Sequence, residues 1–178
     1  HFEGVINVVN RFLEIIKPKY LLLGEKDFQQ LVLISKHIDK NKISSKIINC
    51  KTIRERNGIP CSTRNRMLTQ SQLRIASNVH KIIKRYKSLA IRNIKLLRKK
   101  CLNSGINKID YIEAYNTKTL IKPKGGNKYK IFIAFYLGKT RLIDNKEEAK
   151  NSTFFHNRCL FTIFWKFKNA IRMSEQLR

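Results

Sequence analysis

The chain has 178 residues, of which 42% are hydrophobic, and its 38 Lys and Arg against 12 Asp and Glu give a formal charge of +26. This length suits one compact domain or two small ones, and the apolar content excludes a disordered chain. No apolar run has the length of a membrane-spanning helix, and "HFEG" at the start lacks the basic and apolar regions of a signal peptide, so neither is expected.

The first 52 residues alternate between helical and strand patterns. Apolar residues recur at helical spacing over 4–16, and "YLLL" at 20–23 has the composition of a short buried strand. Helical spacing returns over 28–38, and "KIINC" at 46–50 predicts a second strand. A strand, helix, strand order implies parallel pairing with a right-handed crossover. We therefore expect residues 1–52 to form part of an open α/β sheet.

The pattern changes after the second strand. Residues 52–68, "TIRERNGIPCSTRNRML", show neither helical nor strand periodicity. Thr69 and Gln72 then form a capping-box pattern, which predicts the start of a helix. Helical spacing continues from there to Gly105, with a break expected near Ser88.

Three strands are predicted next, at 109–115, 128–138 and 140–144, with two glycines at 125–126 in the first turn. Short strands joined by short turns predict an antiparallel sheet, so the second half is expected to be a small α+β unit. The tail, 146–178, begins polar and then becomes too densely apolar for a clean amphipathic helix.

The segment "GEKD", residues 24–27, directly follows the first predicted strand and precedes a predicted helix. Ligands of open α/β sheets bind beyond the carboxyl ends of the strands, and helix N-termini favour phosphate. Gly24 allows close approach of the backbone, Lys26 adds a positive charge, and Asp27 is placed to cap the helix or to meet a hydroxyl. A phosphate site is one interpretation, and a solvated turn is the other.

A second candidate is "CSTRN", residues 61–65, in the aperiodic stretch before the long helix. Ser62 and Thr63 offer hydroxyl and backbone N–H donors, and Arg64 offers a guanidinium fork for phosphate. Taken alone, this segment also fits an ordinary polar loop.

The cysteines and histidines do not form a metal-binding pattern. No pair of cysteines has C-x-x-C spacing, and the histidines do not cluster with them. A zinc site is therefore not expected. Free thiols in a reducing cytosol are expected instead. The four cysteines are Cys50, Cys61, Cys101 and Cys159.

Five stretches of the sequence, in this order, resemble the pantoate–β-alanine ligase (pantothenate synthetase) family. They are "HFEGVINVVNRFLEIIKP", "GEKDFQQL", "TIRERNGIPCSTRNRML", "IDYIEA" and "GKTRLIDN", so the resemblance runs from residue 1 to about 145. The family pattern for the third stretch is T-V/I-R-E-x-D-G-L-A-x-S-S-R-N-x-Y-L. Ser62, Arg64 and Asn65 match that pattern. This sequence departs from the pattern at four positions, Asn57, Pro60, Thr63 and Met67.

The resemblance implies a fold and an activity. Residues 1–52 would be part of a Rossmann-like nucleotidyltransferase domain, a parallel sheet with helices on its faces. Residues 53–145 would be a small α+β lid domain with a three-stranded antiparallel sheet, leaving 146–178 as an extension. The family condenses (R)-pantoate with β-alanine through pantoyl adenylate, with ATP as substrate and Mg²⁺ present. A cytoplasmic homodimer is implied, with no membrane or nucleic-acid partner.

The resemblance also assigns site residues. Lys26 and Arg64 are the expected catalytic residues, because they would spread the charge of the phosphates, and Gln30 would bind pantoate. Ile53 would touch adenine through its backbone. Cys61 stands where the family has Met or Leu, which removes apolar bulk beside the base. The ATP-binding set is Gly24, Glu25, Lys26, Asp27, Ile53, Cys61, Ser62, Thr63 and Arg64, and no residue is assigned to a metal.

The start of the sequence differs from the family pattern. In the family, a "GHF-x-GV" segment lies well inside the chain and an H-x-G-H motif precedes it, whereas this sequence opens on "HFEGV" and has no H-x-G-H. The resemblance therefore predicts an amino-terminally truncated form of the enzyme, and the activity of this form alone is left open.

A basic RNA-binding protein of ribosomal type is the alternative. The charge of +26 and the stretch "RNRMLTQSQLRIASNVHKIIKRYK" favour it. The basic residues are nevertheless spread along the chain, and abundant Lys, Ile and Asn also fit a biased genome composition. This alternative gives no reason for "GEKDFQQ" and "TRLIDN" to occur together. A non-catalytic remnant of the ligase is a third possibility.

Overall fold

The computed structural model describes residues 2–117, 121–123 and 129–148. Residues 1–148 form one compact unit. Its helices and strands, in chain order, are α1 (Phe2–Ile16), β1 (Tyr20–Gly24), α2 (Phe28–Lys40), β2 (Lys46–Cys50), α3 (Gln70–Arg85), α4 (Leu89–Arg92), α5 (Ile94–Leu102), β3 (Lys108–Asn116), β4 (Tyr129–Leu137) and β5 (Thr140–Glu148). Short 3₁₀ helices occupy Glu25–Asp27 and Thr63–Met67.

Strands β1 and β2 form a parallel pair, as the strand, helix, strand order predicts. Tyr20 pairs with Lys46 at one end and Gly24 with Cys50 at the other. Helices α1 and α2 pack on this sheet, and their shared core contains the fully buried Ile34. The carboxyl ends of both strands therefore lie at the same edge of the sheet. The Glu25–Asp27 turn directly follows β1 at that edge.

Strands β3, β4 and β5 form the predicted antiparallel sheet, in that order. One face of β4 carries Ile131, Ile133 and Phe135 into a core shared with the helices. The opposite face carries Lys130 and Phe132, and both contact residues of the first half of the chain. The antiparallel sheet is thus covered on both faces, which explains why nearly every residue of β4 is buried.

The helical stretch between the two sheets begins at the predicted capping box. Thr69 accepts a hydrogen bond from the Gln72 backbone, and the Gln72 side chain accepts one from the Thr69 backbone. The helix ends at Arg85, and the break expected near Ser88 separates it from α4. These predictions are confirmed.

Strand β5 is longer than predicted, since it continues to Glu148 instead of ending at residue 144. The predicted turn at 125–126 and most of the predicted tail, 149–178, lie outside the described residues. Within the described part, no helix is long and apolar enough to cross a membrane.

Candidate functional site

The GEKD segment (24–27) lies at the carboxyl edge of the parallel sheet. Gly24 ends β1, and the next three residues form one 3₁₀ turn that runs directly into α2. Gly24 has an ordinary extended backbone, with φ of −76°, and a Cβ built on it would meet no atom within 4 Å. Neither the backbone conformation nor the packing of the described residues therefore requires glycine at this position.

Asp27 occupies the N-cap position of α2, but its side chain makes no capping hydrogen bond. Of the two roles expected for Asp27, capping of the helix is not seen in the structure, and contact with a hydroxyl stays a prediction. The backbone of Asp27, with φ of −96° and ψ of 57°, lies outside the extended region that N-cap residues usually adopt to reach the first turn of a helix. Asp27 is exposed.

The CSTRN loop (61–65) is held by a backbone hydrogen bond and by two side chains. Cys61 N donates to Ile53 O at 2.9 Å, and the Ser62 hydroxyl accepts from Arg64 N at 3.3 Å. Asn65 Nδ2 donates to Glu55 Oε1 at 2.6 Å and to the carbonyl of Pro60 at 2.9 Å. Asn65 thus fixes the shape of the loop from within, which leaves the side chain of Arg64 at the surface.

Three of the sequence-predicted residues line one cleft. Lys26 comes from the GEKD segment, and Ser62 and Arg64 come from the CSTRN loop. Lys26 is half-buried and Arg64 is exposed, and neither forms an ion pair with a residue that the structure describes. Two cations without an ion-pair partner among the described residues, together with a hydroxyl on the same cleft, are groups that can bind an anion.

The cleft is narrow in this structure. Its cavity measures about 20 Å³, which is close to the space that a single water molecule needs. Its walls also include Ile59, Asn65, His80 and Asp144. A ligand of more than a few atoms therefore does not fit within the enclosed part of the cleft as it stands.

The remaining predicted site residues do not line this cleft. Glu25 points to Lys130 of β4, with Oε2 3.4 Å from Nζ. Gln30 lies half-buried on α2, and its side chain makes no hydrogen bond to another described residue. Ile53 is 49% exposed. Gly24, Asp27, Cys61 and Thr63 are all exposed.

A polar network behind the cleft contains residues for which the sequence alone predicted no role. Arg54 donates to both oxygens of Asp144, each at 2.9 Å, and also to the carbonyls of Gly58 and Asn145 at 2.9 Å. These residues lie in "TIRERNG" and "TRLIDN", two stretches that resemble the family, and this resemblance is their only sequence signal. The network joins the segment before the CSTRN loop to β5.

His80 of α3 completes this network. Its Nδ1 lies 3.4 Å from Asp144 Oδ2 and 3.2 Å from Arg54 Nη1. Because Nη1 has two hydrogens, and both already have acceptors at 2.9 Å, the Nδ1 proton of His80 belongs to the Asp144 contact. Burial works to raise the pKa of Asp144, but the hydrogen bonds from His80 and Arg54 outweigh it and hold that pKa below its ordinary value.

No group of three or more His, Cys, Asp or Glu side chains in the described ranges is placed to hold a metal ion. Cys50, Cys61 and Cys101 are free thiols in the described part.

Comparison with known proteins assigns the family. The family model described as pantoate-beta-alanine ligase matches residues 1–147. The pantothenate synthetase of Francisella tularensis subsp. novicida (strain U112) is 39% identical over 145 residues, which are 82% of this chain and 49% of that protein. The enzyme of Francisella tularensis subsp. tularensis (strain SCHU S4) is equally similar, at 39% identity over 145 residues. The chain thus spans about half the length of the curated relatives it matches.

Solved structures agree with this. A crystal structure of pantoate-beta-alanine ligase from Francisella tularensis, complexed with beta-gamma ATP and beta-alanine, matches with a TM-score of 0.67 and 38% identity, over 83% of this chain and 50% of that one. Pantothenate synthetase from Thermus thermophilus shares the fold, with a TM-score of 0.75 at 24% identity, over 83% and 56% of the two chains. The chain belongs to the pantoate–β-alanine ligase family.

Proposed function

We propose that this chain carries the ATP- and pantoate-binding part of a pantoate–β-alanine ligase. The enzyme condenses (R)-pantoate with β-alanine in an AMP-forming reaction. The observation that carries the proposal is the convergence of Lys26, Ser62 and Arg64 on one cleft, in a chain whose family match covers residues 1–147. The Francisella relative was crystallised with an ATP analogue and β-alanine, which supports the choice of substrates.

The reaction has two steps. A carboxylate oxygen of pantoate attacks the α-phosphorus of ATP, and the bond to the β-phosphate oxygen breaks to release pyrophosphate. The amine of β-alanine then attacks the acyl carbon of pantoyl adenylate, loses a proton, and displaces AMP. Lys26 and Arg64 contribute by neutralising the phosphate oxygens, whose charge grows at the pentavalent phosphorus. Ser62 and Thr63 add hydroxyl and backbone donors.

The other site residues have supporting roles in this proposal. Gly24 lets the nucleotide approach the end of β1, and Asp27 has a free carboxylate for a ribose hydroxyl. Gln30 donates its amide to pantoate. Glu25 lines the ATP site through its backbone, since its carboxylate faces Lys130 at 3.4 Å.

The adenine end of the site is proposed to lie along the CSTRN loop. Ile53 O already accepts from Cys61 N at 2.9 Å, so the two residues assigned to the base lie next to each other. The loop is proposed to open for ATP and then to close over it, in keeping with a cavity of about 20 Å³ that is far smaller than a nucleotide.

Mg²⁺ is proposed to enter with ATP. When bound, it would neutralise part of the phosphate charge. Mg²⁺ keeps several waters and is usually held by phosphates plus one or two carboxylates. The carboxylate of Asp27, which makes no capping hydrogen bond, is proposed for the ribose, so no residue of this chain is assigned to the ion.

Three further features belong to the proposal. The division into residues 1–52, with the parallel sheet, and 53–145, with the lid, follows the two sheets. The location is cytoplasmic, which the free thiols favour. The assembly is a homodimer, as in the family.

A segment swap tests the proposed function. In the Francisella enzyme, the segment that aligns with residues 1–147 is replaced by residues 1–147 of this chain. Pyrophosphate release that requires both ATP and pantoate, and that is lost on Lys26→Ala, is the expected result. A chimera with a cooperative thermal transition and no pantoate-dependent release would contradict the proposal. The RNA-binding alternative predicts instead retention of this chain on an RNA column with a steep salt dependence.

A further inference from the structure

The buried side-chain amide of Asn145 binds the antiparallel sheet to the GEKD segment. Asn145 of β5 is directly opposite Phe132 of β4, on the face that covers the segment, and it is 7% exposed. Its Nδ2 donates to the carbonyl of Glu25 at 2.7 Å and to the carbonyl of Lys26 at 2.9 Å. These two carbonyls belong to the peptide groups on either side of the Lys26 Cα. One side chain therefore fixes both planes that determine the φ and ψ angles of Lys26.

The backbone of Asn145 is also fixed by hydrogen bonds. Asn145 N donates to Asp144 Oδ1 at 2.7 Å, and Asn145 O accepts from Arg54 Nη2 at 2.9 Å. Arg54 in turn forms an isolated bridge with Pro60, immediately before the CSTRN loop. Hydrogen bonds through Asn145 and Arg54 thus link the backbone of Lys26 to the bridged segment that precedes Ser62 and Arg64.

The chemistry of this position requires an amide. The two N–H groups of the Asn145 side chain serve two carbonyls, so a carboxylate in the same place would bring oxygen against oxygen. A hydroxyl has one hydrogen and could serve only one carbonyl. An apolar side chain would leave both carbonyls without a donor on a face closed to water.

Two further residues of β4 contact the same part of the chain. Lys130, 3% exposed, lies 3.4 Å from Glu25 Oε2 and 4.5 Å from the centre of the Phe28 ring. Phe28 also packs on Phe132, with ring centroids 5.6 Å apart. These contacts hold the residues that flank Lys26, whereas Asn145 holds Lys26 itself.

We infer that Asn145 is a positioning residue, which fixes the backbone of Lys26 so that its ammonium group meets the phosphates of ATP. The inference rests on the proposed function, because it needs Lys26 to bind ATP. It adds a residue that touches no substrate and acts through the two peptide groups around Lys26.

The test uses the full chain and a double-mutant cycle. ATP is titrated against wild type, Asn145→Ala, Lys26→Ala and the double variant, with binding followed by backbone amide shifts, which detect weak affinities. We expect Asn145→Ala to weaken ATP about tenfold when Lys26 is present and less than twofold when it is absent, because coupled residues are not additive. Equal losses in both backgrounds would overturn the inference.

Amide hydrogen exchange gives a second readout that does not need ATP. Exchange at residues 26–28 should accelerate in Asn145→Ala and in Asn145→Asp, and should not change in Asn107→Asp. The control is matched, since Asn107 Oδ1 accepts from Gly138 N at 2.7 Å and aspartate retains that acceptor. Unchanged exchange at 26–28 would overturn the inference, whereas a wild-type chain that binds no ATP would count against the proposed function instead.

Discussion

Arg54 donates a hydrogen bond of 2.9 Å to each carboxylate oxygen of Asp144, across 90 positions of sequence. The side chains are only 20% and 10% exposed, respectively. Removing one partner of such a pair leaves a charge in a poorly solvated place. Asp144→Asn should therefore lower the free energy of unfolding by about 3 kcal/mol, as measured by urea denaturation.

A surface pair of the same chemistry supplies the control for that measurement. Arg141 and Asp110 are 2.8 Å apart, but their side chains are 38% and 37% exposed. Asp110→Asn should cost only about 0–1 kcal/mol, because solvent screens exposed pairs. Equal losses at the two positions would show that the Arg54–Asp144 pair is not shielded from water.

The same carboxylate predicts a pH dependence. Burial opposes ionisation of Asp144, but the bonds from His80 and Arg54 lower its pKa below the ordinary value of 3.8. A carboxyl group with a lowered pKa stabilises the folded state above its unfolded pKa, and this contribution is lost as the pH falls through the folded pKa. The stability gap between wild type and Asp144→Asn should thus be constant above about pH 5 and shrink below about pH 4. A gap that stays constant down to pH 2 would argue against an ionised Asp144.

Lys26 is expected to bind ATP and to contribute little to folding. It is half-buried on the cleft and forms no ion pair with a described residue. Lys26→Ala should weaken ATP binding by roughly 10- to 100-fold, which corresponds to one charge-assisted contact, and should change stability by less than about 0.5 kcal/mol. Lys36→Ala, at an exposed lysine of α2, is the matched control and should change neither quantity. Equal ATP affinity of the two variants would remove Lys26 from the site.

The pattern of the sequence was sufficient for the local structure. Helical and strand periodicities gave the order of elements and the parallel and antiparallel pairings, and the Thr69–Gln72 capping box is present. One exception is a second helix break at Asn93, and another is the end of β5, which continues through the polar residues 145–148. Pairing with β4 overrides their weak strand propensity, since Lys130 lies opposite Glu147 and their charges are complementary.

The candidate site could be predicted only in part. "GEKD" and "CSTRN" were recognised because each carries its own chemistry in a few consecutive residues. The residues that fix them were not recognised, because their partners are remote: Asn145 bonds to Glu25 across 120 positions, and His80 to Asp144 across 64. No local spacing encodes such contacts, which exist only after the two sheets have packed.

Gln30 is expected to select pantoate and to leave ATP unaffected. Its half-buried amide makes no hydrogen bond to another described residue, so its donors are available to a ligand. In the segment-swapped enzyme, Gln30→Ala should raise the pantoate KM by about 10- to 100-fold, the equivalent of one hydrogen bond to a charged group, with little change in the ATP KM. Gln29→Ala is the control, because Gln29 is exposed in the same helical turn. A parallel rise in both KM values for Gln30→Ala would contradict the assignment.

Cys61 and Cys101 should differ sharply in their reactivity towards a thiol-alkylating reagent at pH 8. Cys101 is fully buried, and burial raises its pKa to about 11, so its thiol is both inaccessible and protonated. Cys61 is exposed on the CSTRN loop, next to the proposed position of adenine. Mass spectrometry of each cysteine peptide should therefore find rapid modification of Cys61 and none of Cys101 in the folded protein. Saturating ATP should slow the modification of Cys61, and the protection should disappear in Lys26→Ala. Modification of Cys61 at an unchanged rate in saturating ATP would place the nucleotide away from this loop.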